Sequence, residues 1–381
     1  MYIHELPDWA NFHWNKESLL EKLVVVRHHQ GRLLGQMKTL GFDFQQEAVL
    51  TTLTEDVIKT SEIEGEKLNK EQVRSSIARR LGLEVGGLEL IDRHVEGIVE
   101  MMMDATTNFD QPLTEERLFA WHAALFPTAR SGMIPIKVGA WRDDANGPMQ
   151  VVSGPLSREK VHFQAPAADR LPHEMAKFLD WFNTELTLDP VLKAGMAHLW
   201  FISIHPFDDG NGRIARAITD LLLARSEQSS KRFYSMSSQI RRKRNAYYDI
   251  LEKTQKGNLD ISEWMLWFIN CLYDAIVGAE NTLKSVLFKA QFWEKVSTLS
   301  LNTRQRLVLN RLLDNFEGKL TSSKWAKLAK CSQDTAARDI NELIKQDVLI
   351  KEPSGGRSTS YVISIKPQLP PSFIENDGCR I

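Results

Sequence analysis

Apolar residues recur at intervals of three and four through the first ~90 residues, as in Leu50, Leu53, Val57 and Ile58, and this period predicts amphipathic helices. The period continues through "QVRSSIARRLGL", "LIDRHVEGIVEMMMDATTN" and "TEERLFAWHAALF", the last opening at Thr114, two residues after Pro112. It lapses in "MIPIKVGAWRDDANGPMQVVSGPLSREKVHFQAP", a stretch rich in glycine and proline whose pieces "MQVV" and "KVHF" can pair as a β-hairpin. It returns in "PHEMAKFLDWFNTEL" and "VLKAGMAHLWFISI". The second of these is apolar almost all round, as a central buried helix would be. Further helices are predicted in "RIARAITDLLLARSEQ" and "SSQIRRKRNAYYDILEKTQKG", followed by a run from Ile261 to Ser297 long enough to join two domains.

After residue 300 the pattern shortens. Three brief helical segments, "TRQRLVLNRLLDNF", "SSKWAKLAKC" and "SQDTAARDINELIKQ", precede two short strands around a Gly-Gly turn, the order of a winged helix. The last residues, rich in proline, are expected to be extended. At 381 residues the chain has room for two or three compact units, and 43% apolar with 25% charged residues is the composition of a soluble globular protein. The formal charge of −1 provides no overall attraction to nucleic acid or anionic lipid. Cys271, Cys331 and Cys379 are odd in number and far apart, without CxxC spacing, which argues against a disulfide framework or a zinc site and suits a reducing compartment. The N-terminus lacks the order of a signal peptide, so a cytoplasmic protein with no membrane partner is expected.

One stretch carries chemistry: "IHPFDDGNGRIARAI", residues 204 to 218, directly after the predicted buried helix. Gly210, Asn211 and Gly212 permit a close backbone approach at a helix N-terminus, where bare N–H groups attract anions. Arg213 and Arg216 share a face of the first turn, where the helix dipole disfavours cations unless an anion binds, and guanidinium forks match phosphate. Asp209 beside phosphates requires a divalent cation between them, and Mg²⁺ uses one or two carboxylates with phosphate oxygens. His205, at the end of the preceding helix, is the candidate base.

The string "HPFDDGNGRIAR" resembles the signature of Fic-domain proteins, His-x-Phe-x-(Asp/Glu)-Gly-Asn-Gly-Arg-x-x-Arg, with no departure. The resemblance implies transfer of AMP from ATP to a Ser, Thr or Tyr hydroxyl of a protein, with Mg²⁺ or Mn²⁺. It implies His205 as base, Asp209 as metal ligand, Gly210, Asn211 and Gly212 as phosphate cradle, and Arg213 and Arg216 on the β and γ phosphates. It also implies a hairpin flap that aligns the target by strand addition, a role that Val161, His162 and Phe163 can fill. Tyr248 resembles an aromatic near the adenine in some members, or is an ordinary core tyrosine. Upstream, "TSEIEGE" reads by itself as a helix C-cap at Gly65. Beside the signature, Thr60, Glu64 and Gly65 match the family's inhibitory pattern, (Ser/Thr)-x-x-x-Glu-(Gly/Asn), which implies that Glu64 pairs with Arg216 and competes with the γ phosphate. The N-terminal region, including "EDVIKTSEIEGE", is similar to those of a subgroup of bacterial Fic proteins, so the likeness spans roughly residues 1 to 280.

The expected fold is therefore mainly α: an N-terminal helical domain (1–95) carrying the inhibitory helix, a Fic-type helical core with a small β-hairpin flap and connecting helices (96–298), a C-terminal winged helix-turn-helix domain (299–366), and a tail (367–381). In that last domain Gln333, Thr335, Arg338 and Asn341 lie on one side of the second helix of the pair. Lys324, Lys327, Lys330 and Arg357 offer charge to a DNA backbone, while Asp334, Asp339 and Glu342 oppose it. Winged helices also serve as protein-interaction modules. The expected partners are ATP, a target protein or the chain itself, and DNA through the winged helix, and a homo-oligomer is compatible. The rival readings are an ATP-sensing DNA-binding regulator and a Fic enzyme that transfers another phosphate-containing group.

Overall fold

The computed structural model of the chain describes residues 1–38, 42–83, 91–145, 147–154, 158–313, 316, 318–352 and 359–364. It is mainly helical and divides into two units, one of Met1–Lys38 with Gln45–Ala279 and the other of Thr39–Phe44 with Glu280–Ile381. The N-terminal helical period forms α1 (Lys16–Lys38), α2 (Phe42–Ile63) and α3 (Lys70–Arg80). Asn69 starts α3 by accepting from the N–H groups of Glu71 and Gln72, which an N-terminus otherwise leaves without partners. α4 (Arg93–Thr107) and α5 (Glu115–Leu125) open in the same way, on Asp92 and on Thr114, whose hydroxyl accepts from the Arg117 N–H. α4 and α5 approach closely at Gly97, where a Cβ would lie 1.8 Å from the Ala124 carbonyl oxygen.

The stretch rich in glycine and proline folds into two hairpins. β1 (Arg130–Ser131) pairs antiparallel with β2 (Ile134–Pro135), a pairing the sequence pattern did not indicate. β3 (Gln150–Ser153) pairs with β4 (Lys160–Gln164), joining the two apolar pieces expected to pair. The register runs Val151 to Phe163 and then Val152 to Val161, so His162 is an extra, unpaired residue in a bulge. Phe163 is buried, with Tyr2 edge-on at 5.2 Å and His4 at 5.7 Å between ring centres. The His4 Nε2–H donates to the Gln164 carbonyl at 2.7 Å, so the N-terminal segment holds the hairpin's inner strand.

α6 (Leu171–Thr184) leads to α7 (Pro190–Ile204) and α8 (Asn211–Glu227), the central pair of the first unit. α7 is buried along almost its whole length, in keeping with its apolar sequence. α9 (Met236–Arg242), α10 (Arg244–Gln255) and the long α11 (Ser262–Lys295) follow. Trp264 of α11 donates its indole N–H to the Gly195 carbonyl of α7 at 2.8 Å. Buried polar contacts fasten α2 to this core: Asp56 accepts from the Ser235 hydroxyl at 2.5 Å, and Arg244 Nε donates to the Ile63 carbonyl at 2.8 Å.

In the second unit the end of α11 is followed by α12 (Thr303–Leu313), α13 (Ser322–Ala329), α14 (Gln333–Lys345) and the antiparallel pair β5 (Leu349–Lys351) and β6 (Tyr361–Ile363). Leu320 bridges to Tyr361 beside that pair. Trp325, Leu309, Ile340, Leu343 and Leu349 form its core. Arg357, Cys379 and the tail lie outside the described residues.

Gly97→Ala is expected to destabilise the first unit by about 1–3 kcal/mol, because the added methyl must push α4 from α5. A denaturant melt with an unchanged midpoint would contradict that close approach.

Candidate active site

The residues singled out by the sequence converge at the junction of α7 and α8. α7 ends when His205 adopts a left-handed conformation (φ 52°, ψ 58°), an uncommon one for a side chain other than glycine. The His205 Nδ1 lies 3.2 Å from the Ile202 carbonyl, which can only accept, so Nδ1 carries the proton and Nε2 keeps its lone pair. Burial is the largest influence on the ring and pushes its pKa down to about 4, against the pull of the Ile202 carbonyl and of Asp209 and Glu64. The imidazole is therefore neutral near pH 7.

The loop after His205 is held from several directions by residues that the motif alone does not reveal. Arg142 donates from Nε to the His205 carbonyl at 2.8 Å, from Nη2 to the Pro166 carbonyl at 2.5 Å and from its own backbone N–H to the Pro206 carbonyl at 3.0 Å. Phe207 stacks on His122 with ring centres 4.2 Å apart. His122 receives the Gly139 N–H on Nδ1 and donates from Nε2 to the Asp209 carbonyl, and burial lowers its pKa to about 4. Asn211 spends its carboxamide on the loop, accepting from the Phe207 N–H at 3.0 Å and donating to the Phe207 carbonyl at 2.8 Å. A phosphate can thus meet the backbone N–H of Asn211 but not its side chain, which narrows the role the signature implied.

Gly210 (φ 82°) precedes α8 and provides no capping side chain for the first N–H groups of α8. A Cβ on Gly210 would meet Phe126 at 2.9 Å. Glu64 comes to this helix end from α2. The chain leaves α2 through a Schellman turn, with Gly65 at φ 89°, its N–H on the Glu62 carbonyl and the Glu66 N–H on the Ser61 carbonyl. Glu64 is thereby aimed at α8. Its Oε1 accepts from Arg216 Nη2 at 2.6 Å and would lie 2.2 Å from a Cβ on Gly212. Arg216 also donates from Nε to the Thr60 hydroxyl at 2.6 Å and from Nη2 to the Thr60 carbonyl at 3.0 Å. Arg213 is paired separately, with Glu66 at 2.9 Å, and stands over the Phe126 ring. His94 also reaches Glu66, at 3.2 Å. Arg216 Nη1 and Arg213 Nε are buried with no hydrogen-bond partner among the described residues.

A cavity of about 570 Å³ lies over this junction. Glu64, His205, Asp209, Asn211, Gly212, Tyr248, His162 and Phe163 all line it, and both strands of the β3–β4 hairpin form one wall. Arg213 and Arg216 sit behind the lining, and Val161 points outward, exposed. Tyr248, about a third exposed, carries Arg244 5.1 Å from its ring centre. Beneath it, His198 donates from Nδ1 to Thr219, whose own proton goes to the Ala215 carbonyl, so His198 Nε2 receives the Tyr247 hydroxyl at 2.8 Å. Burial lowers the His198 pKa to about 3.

The Asp209 carboxylate accepts from the Gly210 N–H at 2.6 Å and the Ser131 hydroxyl at 2.5 Å, and lines the cavity beside Asp208. One or two carboxylates with phosphate oxygens is a donor set that suits Mg²⁺. Among the described residues no group of three or more His, Cys, Asp or Glu side chains could hold a metal.

The three buried imidazoles set a pH dependence of stability. His122, His198 and His205 bind a proton less readily when folded than the ordinary value near 6.5, so between about pH 6.5 and 4 the unfolded chain holds more protons and stability falls as pH falls. At pH 5 the fully buried His122 and His198 each withdraw about 2 kcal/mol relative to neutral pH. Thermal melts at pH 7 and 5 should show a lower midpoint at pH 5, and His198→Gln should reduce that difference.

Residues 112–223 match the family model "Fic/DOC family", and residues 2–83 match "Domain of unknown function (DUF4172)". Protein adenylyltransferase fic-1 of Caenorhabditis briggsae is 39% identical over 81 residues, 20% of this chain and 16% of that protein. Protein adenylyltransferase Fic of Culex quinquefasciatus is 34% identical over 126 residues, 32% of this chain and 24% of the relative. The matches thus span a quarter or less of these relatives' length. A Fic family protein from Desulfovibrio desulfuricans shares the fold with a TM-score of 0.51 and 20% identity, over 91% of this chain and 97% of that one. A Fic domain containing signaling protein from Bacteroides thetaiotaomicron shares it with a TM-score of 0.50 and 21% identity, over 68% of this chain and 94% of the other. Among the described residues no helix is long and apolar enough to cross a membrane. Residues 112–223 thus carry the match to the Fic/DOC family, and parts of the chain are similar to protein adenylyltransferases.

Proposed function

We propose that the chain transfers AMP from ATP to a hydroxyl of a protein and is restrained by its own Glu64. The observation that carries this reading is the carboxylate of Glu64 at the N-terminus of α8, on buried Arg216, in the cavity that His205 also lines. A carboxylate there occupies the seat of an anion, and its withdrawal leaves helix N–H groups and the Arg216 guanidinium for a polyphosphate. His205 Nε2, neutral and unprotonated, takes the proton of the target hydroxyl as its oxygen attacks the α phosphorus and pyrophosphate leaves. The N–H groups of α8 and the arginines stabilise the charge on the leaving group. Asp209 would hold Mg²⁺, which when bound neutralises phosphate charge. The exposed ring of Tyr248 suits stacking on adenine, and the β3–β4 hairpin, with Val161 outward, offers an edge for the target's backbone.

Inhibition follows from competition. Glu64 and a γ phosphate cannot both use Arg216 Nη2, so ATP meets a seat in which one guanidinium is already neutralised. Incubation with ATP labelled at the α phosphorus tests both parts. In a cell lysate Glu64→Gly is expected to raise covalent labelling of proteins other than the chain itself by roughly a hundredfold, and His205→Ala in that background to abolish that labelling. Equal labelling by wild type and Glu64→Gly at saturating ATP removes the inhibitory role; full labelling by the His205 variant removes the base.

For the second unit we propose contact with duplex DNA, supported by where its acids lie. Asp339, which the sequence suggested would oppose a duplex, is buried and accepts from Arg304 at 2.9 and 3.1 Å and from Asn302 at 3.0 Å. Glu342 accepts from Gln305 at 2.9 Å. Among the described residues Asp334 has neither restraint, while Lys324, Lys327, Lys330, Gln333, Arg338 and Asn341 are exposed and Thr335 is half-buried. A mobility shift with duplex DNA should weaken steeply with salt and further in Lys327→Glu. Absence of a shift at low salt would favour a protein-binding role.

A further inference from the structure

Outside the signature, the cavity wall holds a second hydrogen-bonded series with the form of an activated nucleophile. The bulge in β4 leaves His162 without a ladder partner and turns its ring toward α10. His162 Nδ1 lies 2.5 Å from Glu252 Oε2, and its Nε2 lies 2.6 Å from the Ser153 hydroxyl. A carboxylate can only accept, so Nδ1 carries the proton, and Nε2 is left to accept from Ser153. Glu252 is held ionised by Lys256 and His162, which keep its carboxyl at about 2. Ser153, His162 and Glu252 thus stand in the order nucleophile, base and orienting acid. All three line the cavity that holds His205 and Glu64, and Ser153 is exposed at the end of β3.

We propose that Ser153 is a self-modification site, a hydroxyl activated by His162 and Glu252 that accepts the nucleotidyl group from a nucleoside triphosphate in this cavity. The inference rests on the reading of the cavity as a nucleotide seat. The Ser153 oxygen bonds to the α phosphorus, the bond from that phosphorus to the oxygen bridging to the β phosphate breaks, and pyrophosphate leaves with the electron pair. The Ser153 proton passes to His162 Nε2, and Glu252 stabilises the imidazolium that results. This acceptor is built into the hairpin and needs neither a partner protein nor His205. A role confined to pinning the hairpin to α10 would need only the Nδ1 proton on Glu252 and would leave Ser153 unmodified.

The test uses the full chain carrying Glu64→Gly, incubated with Mg²⁺ and ATP labelled at the α phosphorus, with the modified residue located by tandem mass spectrometry. The phosphodiester is expected on Ser153. In the same background Ser153→Ala should lose most of the self-label and Ser153→Thr should retain it. Glu252→Gln should slow self-labelling roughly a hundredfold with ATP affinity, measured by equilibrium dialysis, unchanged. Label on other residues with Ser153 unmodified overturns the proposal, and this readout needs no Ser153 variant to fold. ATP bound without any self-label sinks the Ser153 assignment and spares the nucleotide seat. No ATP bound at all sinks the nucleotide seat, and the inference with it.

Discussion

A guanidinium buried at a helix N-terminus is the constraint around which the first unit is organised. Arg216 has lost its water and stands where the dipole of α8 already provides positive charge, so an anion must be near it. Within the chain that anion is Glu64, and several features exist to bring it there. The Schellman turn at Gly65 ends α2 at the right residue, and Gly212 leaves room for the carboxylate. Arg244 and Asp56 fasten α2 to the core. Among the described residues Arg216 Nη1 has no hydrogen-bond partner, a donor that the internal anion does not satisfy. A larger anion with more acceptors would offer it a partner, which is the physical basis for a competition between Glu64 and a nucleotide.

The imidazole of His205 depends on the same junction in another way. Its left-handed backbone turns the chain out of α7, and the Ile202 carbonyl selects the tautomer. Arg142, His122 and Asn211 immobilise the loop from below and behind, each using backbone groups of the loop as partners. A base presented by so rigid a loop loses little entropy when a substrate arrives. Ser153, His162 and Glu252 present the opposite design. They gather on a hairpin and a helix that close over the same space, so one cavity contains two imidazoles with opposite supports, one held by a carbonyl and one by a carboxylate.

The helices were legible from periodicity because burial of one face requires it, and α7 was recognisable because a helix buried all round has no polar face to show. The β3–β4 hairpin was legible from its apolar pieces, whereas β1 and β2, two residues each, were too short for a pattern to appear. The second unit's acids show the reverse case. Asp339 looks like a solvated charge in the sequence, and it is buried where Arg304 of α12 and Asn302, just before that helix, donate to it.

By itself the sequence determined the site's chemical inventory: a histidine after a buried helix, a turn of glycines, two arginines and an acid, with a glutamate upstream at a helix end. Local rules suffice for these, since capping, turn geometry and helix dipoles act over a few neighbouring residues. Only the tertiary structure decided how each group is used. Asn211 turned inward to the loop, Glu66 claimed Arg213, and Ser153, His162 and Glu252 became neighbours across 99 residues of chain, from 153 to 252. Those outcomes depend on which partner lies within about 3 Å, a distance set by packing between segments remote in sequence.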